Sequence, residues 1–367
     1  MIAFYAPLKS PDFPTASGDR RMAQLLLAAL TRAGLAPRLE SSLRAYEPTG
    51  AQEAQAVVQE CAATEVKRLL ELYQAQPELR PRLWFTYHCY YKAVDYIGPV
   101  IARALNIPYC VAEASRAPQR ATGMFAQAHA MNEAALDFAS MIFVMTAKDR
   151  PALEQARTAG QQLIDLPPFI DQCAATYRPR ASRDVVELLS VAMMRWGVKR
   201  ESYGQLAQAL ALVDGPWHLT IVGEGEAQAE VEALFAPFAE RVTFTGLVSD
   251  ADALAALYEK ADLLVWPAVN EAYGMVFLEA AAYGCPALAG DHGGVASVVC
   301  DGQTGILVPP GDIAAFAQAL SGLIEAPARR QALGAQAYAF VRESRTLDSA
   351  ATILHEALVP LIGRVRV

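Results

Sequence analysis

One stretch of this sequence, residues 270–294, constrains the fold more than any other. It reads NEAYGMVFLEAAAYGCPALAGDHGG and directly follows the apolar segment ADLLVWPA. The EAYG loop leads into an Ala-, Leu- and Phe-rich segment, from about Met275 to Tyr283, that is predicted to be a helix. Gly284 stands where a left-handed C-cap is expected, and Pro286 stands where a helix cannot continue. The strand PALAG and a Gly-Gly loop follow, so this order predicts part of a parallel α/β sheet with both loops at one edge.

Two carboxylates in this stretch are candidates for ligand binding. Glu271 lies just ahead of the predicted helix, where free backbone N–H groups and the positive end of the helix dipole favour an anion. Glu279 lies inside the helix, and none of its neighbours three or four positions away can pair with it. Taken alone, each has an ordinary explanation, as an N-terminal charge or a solvated helix face. A lone Glu on an apolar helix at a sheet edge is, however, well placed to accept hydrogen bonds from ligand hydroxyls.

The E-x7-E spacing, followed by A-x-G-x-P and a Gly-Gly loop, resembles the donor-binding motif of retaining nucleotide-sugar glycosyltransferases of family four. The resemblance implies the GT-B architecture, in which two Rossmann-like α/β domains face each other across a cleft. It implies that Glu271 contacts the donor sugar, that backbone amides after it hold sugar and phosphate, and that Glu279 binds the ribose. The implied donor-binding residues between the two glutamates are Ala272, Tyr273, Gly274, Met275 and Val276.

The length of 367 residues suits two domains of about 150–200 residues each. The segment LIDLPPFID resembles the hinge of the family, and the polar stretch QCAATYRPRASRD after it is predicted to be a linker. The resemblance implies an acceptor-binding domain over residues 1–170, completed by a C-terminal helix at about 345–367. It assigns residues 171–344 to the nucleotide-sugar donor.

Basic residues follow the first strand of the second domain, VVELLSVAMM. In the family, an Arg and a Lys four to six residues later hold the donor diphosphate, which implies this role for Arg195 and Lys199, with Arg200 as the alternative to Lys199. Fixed positive charge stabilises the charge that develops on a departing diphosphate. A solvated basic patch is the alternative, although these are the first basic residues after the linker, in a domain of net charge −9.

Two further loops of the second domain are donor-side candidates. After the strand HLTIV, Gly223 opens a Gly-x-Gly loop, but Gln228 occupies the sixth place of the dinucleotide pattern, so that pattern fails. After RVTFTG, the resemblance implies backbone contacts to the nucleobase around Leu247 and Val248. Backbone contacts leave no side-chain code, so the base stays open. Ser297 stands where relatives usually carry Glu.

Residues at the ends of predicted strands in the first domain are candidates for the acceptor side. An apolar strand ends near Tyr87 and runs into His88, Tyr90 and Lys92. Open α/β sheets place ligands at the carboxyl ends of their strands, and aromatic residues there suit stacking on a sugar or aromatic acceptor. A core strand that runs into a helix cap is the alternative. The strand PYCVAE ends at Glu113, where many relatives carry a His, so the role of Glu113 stays open.

The loop after the first strand, KSPDFPTASGD, precedes a helix predicted from about Arg20 to Ala33. Asp19 is expected to be its N-cap. Gly18 has two explanations: it forms a turn, or it lets backbone approach a phosphate or sugar, as a Gly-containing loop of the family does here. Farther along, His129 and Glu133 are predicted to form a surface pair on a helix.

Composition excludes several classes of protein. Residues 1–170 carry 17 Lys and Arg against 16 Asp and Glu, and residues 171–367 carry 14 against 23, which gives no nucleic-acid footprint. The near-neutral first half is compatible with peripheral membrane contact, and no apolar run reaches the ~20 residues of a membrane span. The start of the chain is expected to be a strand and not a signal peptide. Six cysteines without a CxxC motif and five histidines without ligand spacing predict reduced thiols, no metal site and a cytoplasmic protein.

The sequence therefore predicts a metal-independent, retaining glycosyltransferase that uses a nucleoside-diphosphate sugar as co-substrate and no other cofactor. The acceptor, whether a small molecule, a glycan or a lipid-linked compound, is left open. Two alternatives remain. One is a sugar epimerase or phosphorylase on the same fold, and the other is a non-catalytic two-domain protein that binds a small ligand.

Overall fold

The fold consists of two compact units, each built on one six-stranded parallel sheet. The computed structural model describes residues 1–15, 17–180 and 183–363. The first unit comprises Met1–Pro167 and the segment that begins at Leu347, and the second comprises Pro168–Thr346. The predicted fold class, two Rossmann-like α/β domains, is confirmed by the two sheets.

The first unit alternates strands with helices from its first residues onward. Its elements are β1 (Ile2–Tyr5), α1 (Gly18–Arg32), β2 (Pro37–Ser41), α2 (Gln52–Ala75), β3 (Trp84–Cys89), α3 (Gly98–Leu105), β4 (Tyr109–Ala114), α4 (Ala126–Phe138), β5 (Met141–Val144), α5 (Arg150–Gln155) and β6 (Gln162–Asp165). The strand order is β2-β1-β3-β4-β5-β6, and neighbouring strands are parallel. Strands buried on both faces read as continuous apolar runs, and Trp84, Phe85 and Tyr87 of β3 are accordingly buried. The carboxyl ends of all six strands therefore lie at one edge of the sheet.

The second unit repeats this plan with its own sheet. Its elements are β7 (Val186–Val191), α6 (Val198–Leu210), β8 (Trp217–Val222), α7 (Gln228–Phe235), β9 (Val242–Gly246), α8 (Ala251–Lys260), β10 (Leu263–Trp266), α9 (Met275–Ala282), β11 (Ala287–Gly290), β12 (Gly305–Val308), α10 (Ile313–Glu325) and α11 (Pro327–Ser344). The strand order is β12-β11-β10-β7-β8-β9, again with parallel neighbours. The helix, Gly cap and strand predicted after residue 274 are confirmed, because Gly284 has a left-handed φ of 70° directly after α9.

The last helix, α12 (Leu347–Gly363), returns to the first unit and packs on α1. Arg32 Nε donates to Asp348 Oδ1 at 2.7 Å, and His355 Nδ1 lies 2.8 Å from the carbonyl oxygen of Ala33. The sequence predicts a helix in this place. Residues 364–367 of that prediction lie outside the described residues.

The stretch predicted to be a linker does more than connect the two units. Arg180 donates hydrogen bonds to the carbonyl oxygens of Gly284, Tyr258 and Tyr283, and the Tyr177 hydroxyl donates to the carbonyl oxygen of Gln331. These contacts make residues 172–180 part of the second unit. Ala181 and Ser182 lie outside the described residues.

Two local predictions are wrong. The N-cap of α1 is Ser17, whose side chain accepts from the backbone N–H of Arg20, whereas Asp19 lies in the first helical turn. The predicted pair of His129 and Glu133 is present, with Nδ1 3.9 Å from Oε1, but its predicted surface location is wrong, because His129 is buried and Glu133, half-buried, accepts a hydrogen bond from Arg116. In both cases a partner distant in sequence determines where the charged side chain points.

Candidate functional site

Two glycines allow the loops after β7 and β8 to pack tightly against each other. A Cβ on Gly223 would lie 2.0 Å from the carbonyl oxygen of Ala192, and a Cβ on Gly225 would lie 2.3 Å from that of Met194. Their φ angles of 139° and 155° also favour glycine. The Tyr203 hydroxyl donates to the same Ala192 oxygen at 2.7 Å. The Gly-x-Gly sequence therefore fixes the position of the loop that follows β7.

The loop after β10 is held in the same way by the Gly-Gly loop after β11. A Cβ on Gly293 would lie 1.9 Å from the carbonyl oxygen of Glu271, and the N–H of Gly294 donates to the carbonyl oxygen of Ala272 at 2.6 Å. Gly274 caps the N-terminus of α9 with a left-handed φ of 76°. Glu271 is thus held beside the free N–H groups at the start of α9, where the sequence predicts an anion site.

Lys199 and Glu271 form an ion pair within the second unit. Lys199, in the first turn of α6, places its Nζ 2.5 Å from Glu271 Oε2. Trp266 at the end of β10 contacts both, since its Nε1 lies 3.4 Å from Glu271 Oε2 and its ring centroid lies 5.5 Å from Lys199 Nζ. The side chains of Lys199 and Glu271 are 27% and 19% exposed, which leaves the pair open to a ligand. Two residues predicted for different parts of the donor are therefore in direct contact.

Glu279 on α9 has a hydrogen-bond partner that the sequence does not reveal. The hydroxyl of Tyr258, from α8, donates to Glu279 Oε2 at 2.8 Å. Burial raises the pKa of Tyr258 well above its ordinary value, and the Glu279 carboxylate raises it further, so the phenol remains a donor. Glu279 is half-buried, so it is not the solvated surface carboxylate that its sequence alone would allow.

The other donor-side candidates lie in loops or first turns after the carboxyl ends of the second sheet. Arg195 is half-buried in the loop after β7, and Arg200 is exposed on α6. Leu247 is exposed and Val248 is half-buried directly after β9. The remaining predicted residues precede or begin α9: Ala272 (exposed), Tyr273 (buried), Met275 (buried) and Val276 (half-buried).

In the first unit, His88 and Glu113 lie at the ends of the adjacent strands β3 and β4, and Asp19 joins them from α1. His88 Nδ1 is 3.2 Å from Asp19 Oδ1 and 3.6 Å from Glu113 Oε1. His88 and Glu113 both have left-handed φ angles, 60° and 57°, which are uncommon for such residues and often mark functional sites. The two candidates predicted from separate strands are therefore brought together.

Charge coupling within this cluster favours a protonated imidazole. Burial alone lowers the pKa of His88, but Glu113 and Asp19 outweigh it and raise that pKa to about 9. Burial raises the pKa of Glu113, and His88 partly offsets the rise. Burial also acts to raise the pKa of Asp19, but the hydrogen bond and charge of His88 leave that pKa lowered. The cluster offers one hydrogen-bond donor between two carboxylates.

The remaining candidates in the first unit surround this cluster in part. The ring of Tyr90 lies 5.1 Å from that of His88, and Lys92 Nζ lies over the rings of Tyr91 and Phe125. Gly18 is the first residue of α1 and has no left-handed φ, and a Cβ there would meet nothing within 4 Å. Neither the conformation nor crowding requires glycine at this position.

Three contributors to these sites were missed from the sequence. These residues are Tyr258, Trp266 and Asp19. Each contacts a partner on a different element, so spacing within the local sequence does not predict the contact. Asp19 has the clearest sequence signal of the three, because an acidic residue beside a Gly in the first turn of a helix often caps the helix or interacts with its positive end. Tyr258 and Trp266 read as ordinary core aromatics.

Comparisons with known proteins agree with this fold. Residues 186–326 match the family model described as "Glycosyl transferases group 1". The chain is 38% identical over 142 residues to D-rhamnosyltransferase WbpZ from Pseudomonas aeruginosa, a match that covers 38% of this chain and 36% of that protein. It is 27% identical over 343 residues to 2-deoxystreptamine glucosyltransferase from Streptomyces kanamyceticus, which covers 86% and 84% of the two chains. These similarities support the conclusion that the chain is a transferase, and more specifically a glycosyltransferase.

Solved structures share the fold over nearly the whole chain. Sucrose-phosphate synthase from Thermosynechococcus elongatus aligns with a TM-score of 0.73 at 22% identity, covering 99% of both chains. HepE from Anabaena, solved in complex with UDP, aligns with a TM-score of 0.71 at 15% identity, covering 98% of this chain and 99% of that one. At such identities the similarity shows the GT-B fold alone.

Among the residues that the structure describes, no group of three or more His, Cys, Asp or Glu side chains is arranged to hold a metal ion. Asp250 and Asp252 have Asp-x-Asp spacing, but both are exposed and Asp250 caps α8 by accepting from the N–H of Ala253 at 2.7 Å. No helix in residues 1–15, 17–180 and 183–363 has the length and apolar character needed to cross a membrane.

Proposed function

We propose that this protein is a retaining glycosyltransferase of family four that transfers a sugar from a nucleoside-diphosphate sugar to an acceptor without a metal ion. The observation that carries the proposal is the ion pair between Lys199 and Glu271. It joins two predicted donor contacts inside the segment that matches the group 1 family model. Lys199 differs from a fully solvated basic side chain, because it contacts Glu271 and is only 27% exposed.

The diphosphate is the part of the donor that needs positive charge most. Arg195 and Lys199 follow the same strand end, and the free N–H groups at the start of α9 add the positive end of a helix dipole. Negative charge grows on the diphosphate as the glycosidic bond breaks, so fixed charges stabilise the transition state more than the bound donor. This arrangement supports departure of the diphosphate without a metal.

Positioning of the donor depends on the two glutamates. Glu271 would accept from hydroxyls of the donor sugar, and Glu279, oriented by Tyr258, from the ribose hydroxyls. The backbone at Leu247 and Val248 would contact the nucleobase. The acceptor would attack on the face from which the diphosphate leaves, and a phosphate oxygen of the donor would take its proton. The protein then supplies positioning and charge stabilisation.

A thermal-shift screen of nucleoside-diphosphate sugars tests this function first, because a ligand that binds the native state raises its stability by mass action. UDP-sugars head the screen, since HepE is a structural neighbour solved with UDP. Donors that stabilise the protein are then incubated with acceptor panels, and the anomeric configuration of the product is read by NMR. Binding without turnover would favour a non-catalytic binding protein, and stabilisation by none of the donors would overturn the proposal.

A further inference from the structure

Four loops at the carboxyl edge of the first sheet contribute cations besides Arg116, which pairs with Glu133 and Asp137. Lys9 follows β1, Arg44 follows β2, Lys92 follows β3 and Arg120 follows β4. These four strands are neighbours in the sheet, in the order β2-β1-β3-β4. The cations therefore gather at one edge although they are far apart in sequence.

All four of these cations lie over aromatic rings: Lys9 Nζ lies 6.0 Å from the centroid of Phe13, and the other three each lie over two rings. Lys92 Nζ lies 5.8 Å and 5.6 Å from the ring centroids of Tyr91 and Phe125, and the guanidinium carbon of Arg120 lies 5.2 Å and 6.0 Å from the same two centroids. Two like charges thus share one pair of rings. Arg44 lies 5.1 Å from the centroid of Phe13, a ring that it shares with Lys9, and 4.8 Å from that of Tyr46. Cation–π contacts hold the charges in place without neutralising them.

Carboxylates do not neutralise three of these cations. Among the described residues, no carboxylate oxygen lies within 4.0 Å of Arg44, Lys92 or Arg120, whereas Lys9 pairs with Asp19. Lys92 is close enough to Glu47 to help lower the pKa of Glu47. The Glu47 carboxylate, however, accepts hydrogen bonds from the backbone N–H groups of Thr49 and Gly50. Like charges without counterions repel each other, and a bound anion would relieve that repulsion.

The cations adjoin the cluster of His88, Asp19 and Glu113 through a row of rings. The ring centroids of His88 and Tyr90 lie 5.1 Å apart, those of Tyr90 and Tyr91 lie 5.6 Å apart, and those of Tyr91 and Phe125 lie 5.0 Å apart. The row of rings is therefore continuous. One end offers a donor and two carboxylates, which suit hydroxyl groups, and the other offers Lys92 and Arg120. Aromatic faces between them suit the apolar face of a sugar ring.

We infer that Lys92 and Arg120 bind a phosphate group carried by the hydroxyl-bearing acceptor of the proposed transfer reaction. The inference rests on the proposed function only in naming this ligand the acceptor. A phosphate monoester carries close to two negative charges at neutral pH and several acceptor oxygens, which matches several cations better than a single carboxylate does. The net charge of residues 1–170 is only +1, so the site is local and not a general polyanion surface.

Two probes of this phosphate chemistry separate its sources in the full-length protein. Glucose 6-phosphate is compared with glucose by calorimetry, and phosphatidylglycerol vesicles are compared with phosphatidylcholine vesicles by co-sedimentation. The variants are Lys92→Gln and Arg120→Gln. The matched control is Arg103→Gln, because exposed Arg103 also lies over a ring, 4.3 Å from the centroid of Phe138, but near the end of α3, which leads to the start of β4 and so to the opposite edge of the sheet.

At least one phosphate probe is expected to bind about tenfold or more tightly than its uncharged counterpart, with each variant losing most of that preference and the control keeping it. Preference for the sugar phosphate indicates a soluble acceptor, and preference for the vesicles indicates a lipid-borne phosphate. No preference in either arm, or equal loss in Arg103→Gln, overturns the inference. A protein that prefers a phosphate probe but binds no nucleotide sugar contradicts the proposed function instead and leaves the anion site intact.

Discussion

The ammonium group of Lys199 donates a hydrogen bond to Oε2 of Glu271 across 2.5 Å, which ties the start of α6 to the loop after β10. An opposite charge at this distance neutralises much of what Lys199 could offer a diphosphate. Glu271 therefore has two effects on donor binding that act in opposite directions: it attracts the sugar hydroxyls and competes for the lysine. Substitution of Glu271 separates them.

Glu271→Gln is expected to bind free nucleoside diphosphate as well as or better than the wild type, because the neutral amide releases the charge of Lys199. The same variant is expected to lose the additional affinity that the sugar provides. Calorimetry with the nucleoside diphosphate and with the matching nucleotide sugar measures both quantities. Weaker binding of the free diphosphate in a folded Glu271→Gln protein would contradict this interpretation of the pair.

Glu279→Ala is expected to weaken nucleotide binding by about 1.5–3 kcal/mol for each hydrogen bond lost to the charged acceptor. Tyr258→Phe removes only the hydroxyl that orients Glu279, so its effect should be smaller and in the same direction. Tyr338→Phe is the control, since the Tyr338 hydroxyl donates to the carbonyl oxygen of Ala174 elsewhere in the second unit. Calorimetry with the nucleoside diphosphate should rank the three variants in this order. Unchanged affinity in Glu279→Ala would return Glu279 to a purely structural role.

His88 is expected to titrate with a midpoint near pH 9, because Glu113 and Asp19 overcome the effect of burial on its pKa. A pKa raised in the folded state means that protonation stabilises the fold. The contribution is complete below about pH 6.5, the ordinary pKa of histidine, and is lost as the pH rises through 9. NMR of the imidazole ring measures the midpoint, which Asp19→Asn should lower. An imidazole that titrates near 6.5 in the wild type would refute the charge coupling.

Gly293→Ala is expected to lower the midpoint of urea unfolding and to reduce turnover. Its Cβ would lie 1.9 Å from the backbone oxygen of Glu271, so the loop carrying that residue must move, at a cost of about 1–3 kcal/mol. Gly322→Ala is the matched change on α10, where a Cβ meets nothing within 4 Å and should stabilise the helix by about 0.5–1 kcal/mol. An unchanged unfolding midpoint in Gly293→Ala would show that the two loops are not packed as described.

Much of the fold could be predicted from local sequence alone. The stretch after residue 270 contains a strand, a Gly-capped helix and a second strand, and each is present because periodicity and caps are local properties. The partners of charged groups are not local. The local sequence predicts that Asp19 is an N-cap, whereas in the structure Asp19 pairs with His88 from the end of β3. The local sequence allows Glu279 to be solvated, whereas in the structure Glu279 accepts a hydrogen bond from Tyr258 of α8.

The donor-side candidates were predicted by a motif, but their mutual contacts were not. Residues 199 and 271 are separated by three strands and their connections, so only the sheet order brings them together. For the same reason, the sequence alone did not predict that the cations lie at one edge of the first sheet, since Arg44 and Arg120 belong to different loops. Sheet topology, and not spacing, determines which strand ends meet.

Turnover is expected to survive EDTA, because Arg195, Lys199 and the start of α9 supply the positive charge that a metal would otherwise bring to the diphosphate. Release of nucleoside diphosphate, followed in EDTA and in added Mg²⁺ or Mn²⁺, checks this expectation. A strict requirement for either ion would contradict the metal-independent mechanism.

The most direct test of the central claim is the rate of nucleoside-diphosphate release from a saturating nucleotide sugar by the wild type, Arg195→Ala, Lys199→Ala and Arg200→Ala. Loss of one fixed charge aimed at the leaving group is expected to cost on the order of 10²–10³ in kcat, by comparison with loss of an oxyanion-hole donor, while donor binding remains measurable. Arg200→Ala is the control, because Arg200 is exposed one position away. Loss of activity in Arg200→Ala with normal activity in Lys199→Ala would reassign the diphosphate contact to Arg200. Wild-type rates in both Arg195→Ala and Lys199→Ala would contradict the account of how the diphosphate leaves.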